Sequence, residues 1–498
     1  MDLFYAFYNK RGYIMKYNIT LSAILLSLLL CFSLSLAAVY SPQADYQFNS
    51  DTAVEYYNQG MDAFSHGKLE KADDLFHSVM RYEPNQALTL FQLGMLAMYQ
   101  DQVSDAQKYL DQSQNAAKDA QLILQVEFIK SYLGNDKLAM QDVLGKLKKS
   151  GDAETSYLIY EAMNNFMNNK HHKTVTLLYP LAESFDFQIY YWLAKSYCAM
   201  GDLSKVNQFC TPILVNAPDL VSVLMMQGES FLNQGDYEHS SPIFSHILDL
   251  EPANLDAHCG SGKCLLFSHQ ADGALVHFQF IMDALDQKQL NWKCYWNIAT
   301  CYTMLGRQQD ALDVLTAFLD KCRSQSNPIY LAMINHKLAE YRYLTGEYQS
   351  AEQEYNNWID WIDSSEFTDQ FKLNQKARYY SDMIELSIMQ NKNEKSNELN
   401  RKYQQLISGQ NVNIRISDKL EGLFAYQNGE YQSAITAFER IPESSEKWYW
   451  IARCYEAMKN VDTARQYYSR LVDQRAVNFY SILYSRLAQN NLAQLNLL

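Results

Sequence analysis

Proline and glycine are scarce in this chain, at 9 and 18 of 498 residues. That excludes collagen-like and Gly/Ser-linker segments and implies short loops. Positive charge is scarce too. The 42 basic residues face 56 acidic ones, for a formal charge of −14, and no basic run interrupts the chain. Such a balance argues against a nucleic-acid backbone as partner. No G-x-S-x-G, H-E-x-x-H, P-loop or G-x-G-x-x-G occurs, so the common nucleophile elbow, zinc-protease helix and nucleotide cradles are missing. The ten histidines are scattered. His171 and His172 are adjacent and point apart on a helix; His239 and His246 flank Pro242 without a third donor. Carboxylate pairs such as Asp73-Asp74 fall on solvated helix faces. With no nucleophile–base pair, the chain is expected to be non-enzymatic, with no cofactor and no metal. What it has in quantity is apolar and aromatic surface: 48% apolar residues and 37 tyrosines, enough for a large core and, by length alone, about three domains.

The N-terminus stands apart. Lys10, Arg11 and Lys16 precede the uncharged stretch Ile19 to Ala38, which ends in the small residues Ser35, Ala37 and Ala38. A basic flank, an apolar run and small residues read as a secretory signal peptide over 1–38, with Met15 as an alternative start. The apolar run approaches the ~18–20 residues that cross a bilayer, so an uncleaved anchor is the alternative. Either way the remainder is expected to be exported, periplasmic or secreted, beginning near Ala38 or Val39 after cleavage. Eight cysteines then remain, Cys198, Cys210, Cys259, Cys264, Cys294, Cys301, Cys322 and Cys454, without a C-x-x-C pair. They are expected chiefly as small buried residues, with at least one bridge somewhere in the crowded region from Cys259 to Cys322 as the alternative.

Beyond a short linker at 39–51 the chain repeats itself. Gly60 and Gly94 are 34 apart, as are Ala194, Gly228 and Gly262. Twelve residues after each come Ala72, Ala106, Val206, Ser240 and Ala274; four further on come Phe76, Leu110, Cys210, Phe244 and Phe278. Pro84, Pro218 and Pro252 close three units. Gly201-Asp202, Gly235-Asp236, Gly346-Glu347 and Gly429-Glu430 have the form of helix stops, with glycine in the left-handed position and an acid near the next helix start. One helix pair cannot bury its apolar stripe alone, so such pairs must stack. This pattern resembles the tetratricopeptide repeat. The resemblance implies an all-α, right-handed α-solenoid of about twelve antiparallel helix pairs, over 52–475, with degenerate units near Phe128, Ala162 and Phe371 and a capping helix and tail at 476–498.

In that family the first helix of each pair lines a concave groove. With the small residue at repeat position 8, positions 2, 5, 9, 12 and 13 face inward. The first two units place Val54, Tyr57, Met61, Phe64, Leu88, Phe91, Met95, Met98 and Tyr99 there, an exposed apolar stripe suited to a partner's amphipathic helix. The alternative is that the stripe packs under the segment that follows the leader, or self-associates. The central units place Gln188, Tyr191, Lys195, Glu229, Asn233, Asp256, Lys263, Lys293 and Trp296. The ninth positions, including Met61, Met95, Lys195, Glu229, Lys263, Thr300 and Glu340, depart from the family's Lys/Asn carboxylate clamp, which disfavours a chaperone tail as partner.

The stretch from Glu439 to Gln489 also resembles the end of the superhelical domain of soluble lytic transglycosylases, through Trp448-Tyr449-Trp450, Ala452-Arg453 and Asn478-Phe479-Tyr480; no catalytic glutamate in an E-S context followed by a G-L-M-Q-like stretch occurs in the chain. Two functions follow as expectations. One is an exported scaffold holding a protein or peptide partner in the cell envelope. The other is a non-catalytic module binding peptidoglycan. Membrane contact is expected only through the leader.

Overall fold

The structure, a computed structural model, describes residues 48–150, 154–285, 291–408, 414–473 and 479–495. The expected leader at 1–38 and most of the linker lie outside the described residues. Within them the chain is helical, with 25 α-helices, one short 3-10 turn and no strand. None of these helices is long and apolar enough to cross a membrane. The helices fall into two compact units, residues 1–234 and 235–498.

The first unit begins with α1 (Asp51–Ser65) and α2 (Leu69–Tyr82), then α3 (Ala87–Tyr99) and α4 (Val103–Ala116). It continues with α5 (Ala120–Leu133) and α6 (Lys137–Ser150), α7 (Glu154–Met167) and α8 (His171–Leu178), α9 (Phe187–Met200) and α10 (Leu203–Asn216), and ends with α11 (Val221–Asn233). The pairs predicted near Phe128 and Ala162 are therefore present as α5/α6 and α7/α8.

The turns explain the repeat. Gly67, Gly201 and Gly235 take φ of 69°, 73° and 74°, and Asp101, Asn135, Asn169 and His269 take 57°, 56°, 56° and 62° at equivalent places. At Gly201 the left-handed residue lets its own N–H reach the Cys198 carbonyl and that of Asp202 reach Tyr197, closing the helix end. Asp and Asn tolerate this conformation better than other non-glycine residues, which is why the period survives where glycine is lost.

The second unit opens with α12 (Tyr237–Leu250), then pairs α13 (Leu255–Phe267) with α14 (Ala271–Ala284), and α15 (Trp292–Met304) with α16 (Gln308–Ser324). Longer pairs follow: α17 (Pro328–Leu344) with α18 (Tyr348–Ser364), and α19 (Asp369–Met389) with α20 (Asn393–Ile407). Then come α21 (Ile414–Gln427) with α22 (Tyr431–Arg440), and α23 (Ser445–Ala457) with α24 (Val461–Asp473). Asn254, Asn327 and Thr368 cap α13, α17 and α19 by accepting from backbone N–H groups three residues on. The last helix, α25 (Phe479–Leu495), packs on α24 and also reaches α15, α17 and α23.

Within a pair the packing is set by the small residue and the ring that meets it. A Cβ added at Gly60 would lie 2.6 Å from Phe76, at Gly262 2.8 Å from Phe278, and at Gly422 2.6 Å from Phe438. These rings are fully buried. The eight cysteines are free thiols, six of them buried. Burial pushes the Cys294 thiol up to about 12, so it stays protonated and packs as a small apolar residue.

Candidate functional site

The apolar stripe expected as an exposed groove in the first unit is core. Tyr57, Met61, Phe64, Phe91, Met95, Met98 and Tyr99 are all under 9% exposed. The reason is that the inward faces of α1 and α3 meet other helices of the same unit. The Phe64 ring lies 5.7 Å from Phe187 of α9, and Tyr99 lies 5.0 Å from Phe187 and 4.9 Å from Tyr191. Trp192 Nε1 donates to Tyr99 Oη across 93 residues of sequence, at 3.1 Å. Ile159 and Tyr160 of α7 close the space beside Met61, Phe91 and Met95, leaving a cavity of about 40 Å³. Of the post-leader segment, 48–50 lie among the described residues, and there the Phe48 ring lies 5.1 Å from Tyr57.

Of the central residues, Tyr191 is also buried. Lys195 sits among the rings of Phe166, Tyr191 and Trp192, 5.2–5.6 Å from their centres, and donates to Tyr132 Oη at 3.4 Å. Lys263 is half-buried, and Glu229, Asn233, Asp256 and Lys293 are exposed. Trp296, in the second unit, is buried and lies 6.5 Å from Tyr480 of α25. The expected groove is therefore corrected: Tyr57, Met61, Phe64, Phe91, Met95, Met98, Tyr191 and Trp296 offer no open surface.

An open site lies instead in the second unit. A cavity of about 760 Å³ is framed by α17, α19, α21, α23 and α25. Helical spacing puts its charges on inward faces: Lys337 and Glu340 on α17, and Arg378, Asp382 and Glu385 on α19. Lys419 of α21 donates to Glu385 and to Glu446 of α23, each at 2.6 Å. The other Glu385 oxygen accepts from Tyr343 Oη at 2.9 Å and Trp450 Nε1 at 3.0 Å. His336 Nε2 lies 2.8 Å from Asp382 Oδ2, and its ring packs edge-on against Trp358 at 4.6 Å. Lys337 donates to Glu340 at 2.9 Å, and Tyr480 Oη donates to the same carboxylate at 2.7 Å. Arg486 of α25 donates to the Thr303 carbonyl at 2.7 Å. The last helix is thereby tied across the inner faces of α15 and α17 and supplies Tyr480 and Tyr484 to the cavity wall.

The electrostatics follow from burial and pairing. Burial works against the Lys419 ammonium, but Glu385, Glu446 and Asp382 hold it firmly charged. Burial, assisted by Glu385 and Asp382 and opposed by Lys419, keeps the Glu446 carboxyl above its ordinary range. Burial opposes ionisation of Asp382 as well, yet the His336 hydrogen bond and nearby cations hold it below that range. Burial and the Arg378 charge depress His336, so the imidazole is neutral and donates to Asp382. Among the described residues no cluster of three or more His, Cys, Asp or Glu side chains could hold a metal.

Such helix hairpins define a class of repeat scaffold. The tetratricopeptide repeat model matches residues 448–475, the α23/α24 pair that includes Trp448, Trp450 and Arg453, on which the transglycosylase resemblance rests. No curated protein matches the chain. Among solved structures it is similar to MamA, at 20% identity over 34% of this chain and 99% of that one, with a TM-score of 0.31. It is also similar to a tetratricopeptide repeat protein from Parabacteroides merdae, at 14% identity over 66% and 98% of the two chains, with a TM-score of 0.29. Similarity to the APC/C hetero-tetramer Cut9–Hcn1 runs at 11% identity over 90% of each chain, with a TM-score of 0.33. The chain is built of stacked helix hairpins as an α-solenoid, and the tetratricopeptide repeat model matches it at 448–475.

Proposed function

We propose that this chain is an exported, non-enzymatic scaffold of the cell envelope that holds a partner protein in the cavity of its second unit. One observation carries the reading. The cavity residues occupy the repeat positions that face the concave side: Glu340 and Tyr343 follow Ala339 at positions 9 and 12, Lys419 stands at position 5 before Gly422, and Glu446 at position 2 before Ala452. Polar groups fixed by their neighbours at inward positions recognise a segment in register without new ordering, which favours binding over a mobile surface. Export rests on the leader pattern at 1–38. The absence of catalysis rests on mutual pairing: Lys419, Asp382 and Glu385 are each committed to another protein group.

A photo-reactive side chain placed at Ser445 in the full chain, expressed in its own cell, tests the reading. A discrete cross-linked product to one protein is expected, from a fractionated envelope, and no product from the same group placed at the exposed Leu138 of the first unit. Equal labelling from both positions, or none from Ser445, overturns it. N-terminal sequencing of the exported chain is expected to start near Ala38 or Val39; an intact Met1 or Met15 overturns the leader assignment.

A further inference from the structure

We propose that the second-unit cavity is a site for a basic side chain, the ammonium of lysine or the guanidinium of arginine, carried on an extended segment of the partner. The inference rests on the scaffold reading and names what its site takes. Five carboxylates line the cavity, Glu340, Asp382, Glu385, Glu443 and Glu446, against three cations, Lys337, Arg378 and Lys419. Two of the carboxylates are each matched by a lysine. Glu340 is paired with Lys337, and Glu443 with Lys447 at 3.0 Å, while Arg470 covers the Trp448 ring at 3.5 Å. The other three are matched less fully. Asp382, Glu385 and Glu446 face one ammonium, Lys419, and one guanidinium, Arg378, whose Nε stands 4.0 Å from Asp382 and whose side chain is half in solvent. One negative charge is left in excess where water is restricted, and a further cation relieves it.

The walls suit that cation in shape as well as charge. Tyr343, Tyr355, Trp448, Tyr480 and Tyr484 line the space, and aromatic faces attract ammonium and guanidinium groups. The chain already binds cations this way in the same cavity. Lys337 Nζ sits 4.2 Å from the Tyr480 ring centre and 5.4 Å from that of Trp296 while it bonds Glu340. Lys419, deep inside, is held by two carboxylates with little solvent. A carboxylate or phosphate ligand would meet that excess of like charge instead, and an apolar one would strip water from Glu446 and Asp382 without replacing it. The volume of about 760 Å³ takes a long side chain together with its flanking backbone.

The test is calorimetric titration of the full chain with tripeptides blocked at both ends, Gly-Lys-Gly, Gly-Arg-Gly, Gly-Leu-Gly and Gly-Glu-Gly, so that only the side chain differs. The lysine and arginine peptides are expected to bind at one site, more weakly as salt rises, and the other two not to bind. Glu446→Gln is expected to weaken the basic peptides by about tenfold or more, the loss of one charge-assisted contact. Ser445→Trp, which fills the cavity and removes no charge, is expected to abolish binding, and it keeps the test valid where Glu446→Gln fails to fold. Stronger binding of the acidic or leucine peptide, binding of a neutral N-acetylglucosamine disaccharide in their place, or basic binding that survives Ser445→Trp overturns the proposal. Absence of basic-peptide binding with the Ser445 cross-link intact overturns the ligand assignment alone; loss of the cross-link with peptide binding intact overturns the scaffold reading alone.

Discussion

At the scale of single residues, burial decides what a side chain does, and two cases make it measurable. Phe91 is 3% exposed and lies in the first-unit core. Phe91→Glu is therefore expected to destabilise the chain strongly, since truncating a buried Phe costs about 3–5 kcal/mol and an unpaired buried charge adds to that. A thermal midpoint within a degree of the parent would return Phe91 to an open surface. His336 gives a pH dependence. Its imidazole is buried against Trp358 and Tyr355 and neutral, with Asp382, Glu340 and Arg378 as its charged neighbours. In the unfolded chain the ring takes a proton below about pH 6.5. The unfolded state then binds more protons than the folded one, so stability falls as pH drops from about 6.5 through the depressed folded value. Asp382, held low in the folded state, extends the loss in the same direction at lower pH. His336→Gln keeps a donor toward Asp382 and removes the titration. Denaturation at pH 7 and pH 5 is expected to show a smaller difference for the variant than for the parent; equal differences would show that His336 does not titrate on unfolding.

At the scale of elements, successive helix pairs meet across a glycine that a larger residue would crowd. A Cβ at Gly260 would stand 2.4 Å from the ring of Phe244, which is fully buried and cannot withdraw. Gly260→Ala is expected to cost about 1–3 kcal/mol, as overpacking does. At Gly145, within α6, a Cβ meets nothing within 4 Å, and Gly145→Ala is expected to stabilise by about 0.5–1 kcal/mol through helix propensity. Denaturant titration of the two variants should give opposite signs. The contact within a pair was legible in the sequence, because a small residue and the ring that follows it, as at Gly60 and Phe76, leave two letters at a fixed spacing; the approach of Gly260 to the preceding Phe244 joins neighbouring pairs and falls outside that pattern. The turns were legible only where they kept glycine. Asn135 and Asn169 hold the same left-handed position without announcing it, so α5 through α8 read as degenerate. The groove was misread for a different reason. What covers Phe64 and Tyr99 is Phe187 and Trp192, about a hundred residues on, and nothing within one repeat states how distant repeats meet. The second-unit cavity was within reach: carrying the inward positions past Trp296 to His336, Glu340, Lys419 and Glu446 arrives at it. What the letters could not state was that Lys419 would join Glu385 to Glu446, a contact among three separate helices.

At the scale of the whole molecule, stacked pairs lean on their neighbours, so stability is distributed along the chain rather than shared evenly. The order of opening should follow how much of each helix is buried. In α3 all but two of its thirteen residues are buried, and in α9 the buried set includes Phe187, Trp192, Leu193 and Tyr197. By contrast α8 is eight residues long, buries Thr174 and Leu178, and runs into a 3-10 turn at Tyr179–Leu181 that contains Pro180. An eight-residue helix lacks the length to hold itself in water, so it depends on α7 and α9. In the second unit α20 buries Ser396, Leu399 and Tyr403 of its fifteen residues. Native-state hydrogen exchange of the full chain is expected to show α8 and α20 opening first within their own units and α3 and α9 last in the first. The sequence pattern marks the Phe371 unit as weak throughout, but burial divides it: Ile384, Leu386 and Ile388 in the last turns of α19 are buried, so that end of α19 should be protected while α20 exchanges. Equal protection of α8 and α3 would show that burial does not set the order. A single protection level along all the helices would contradict nearest-neighbour stacking itself.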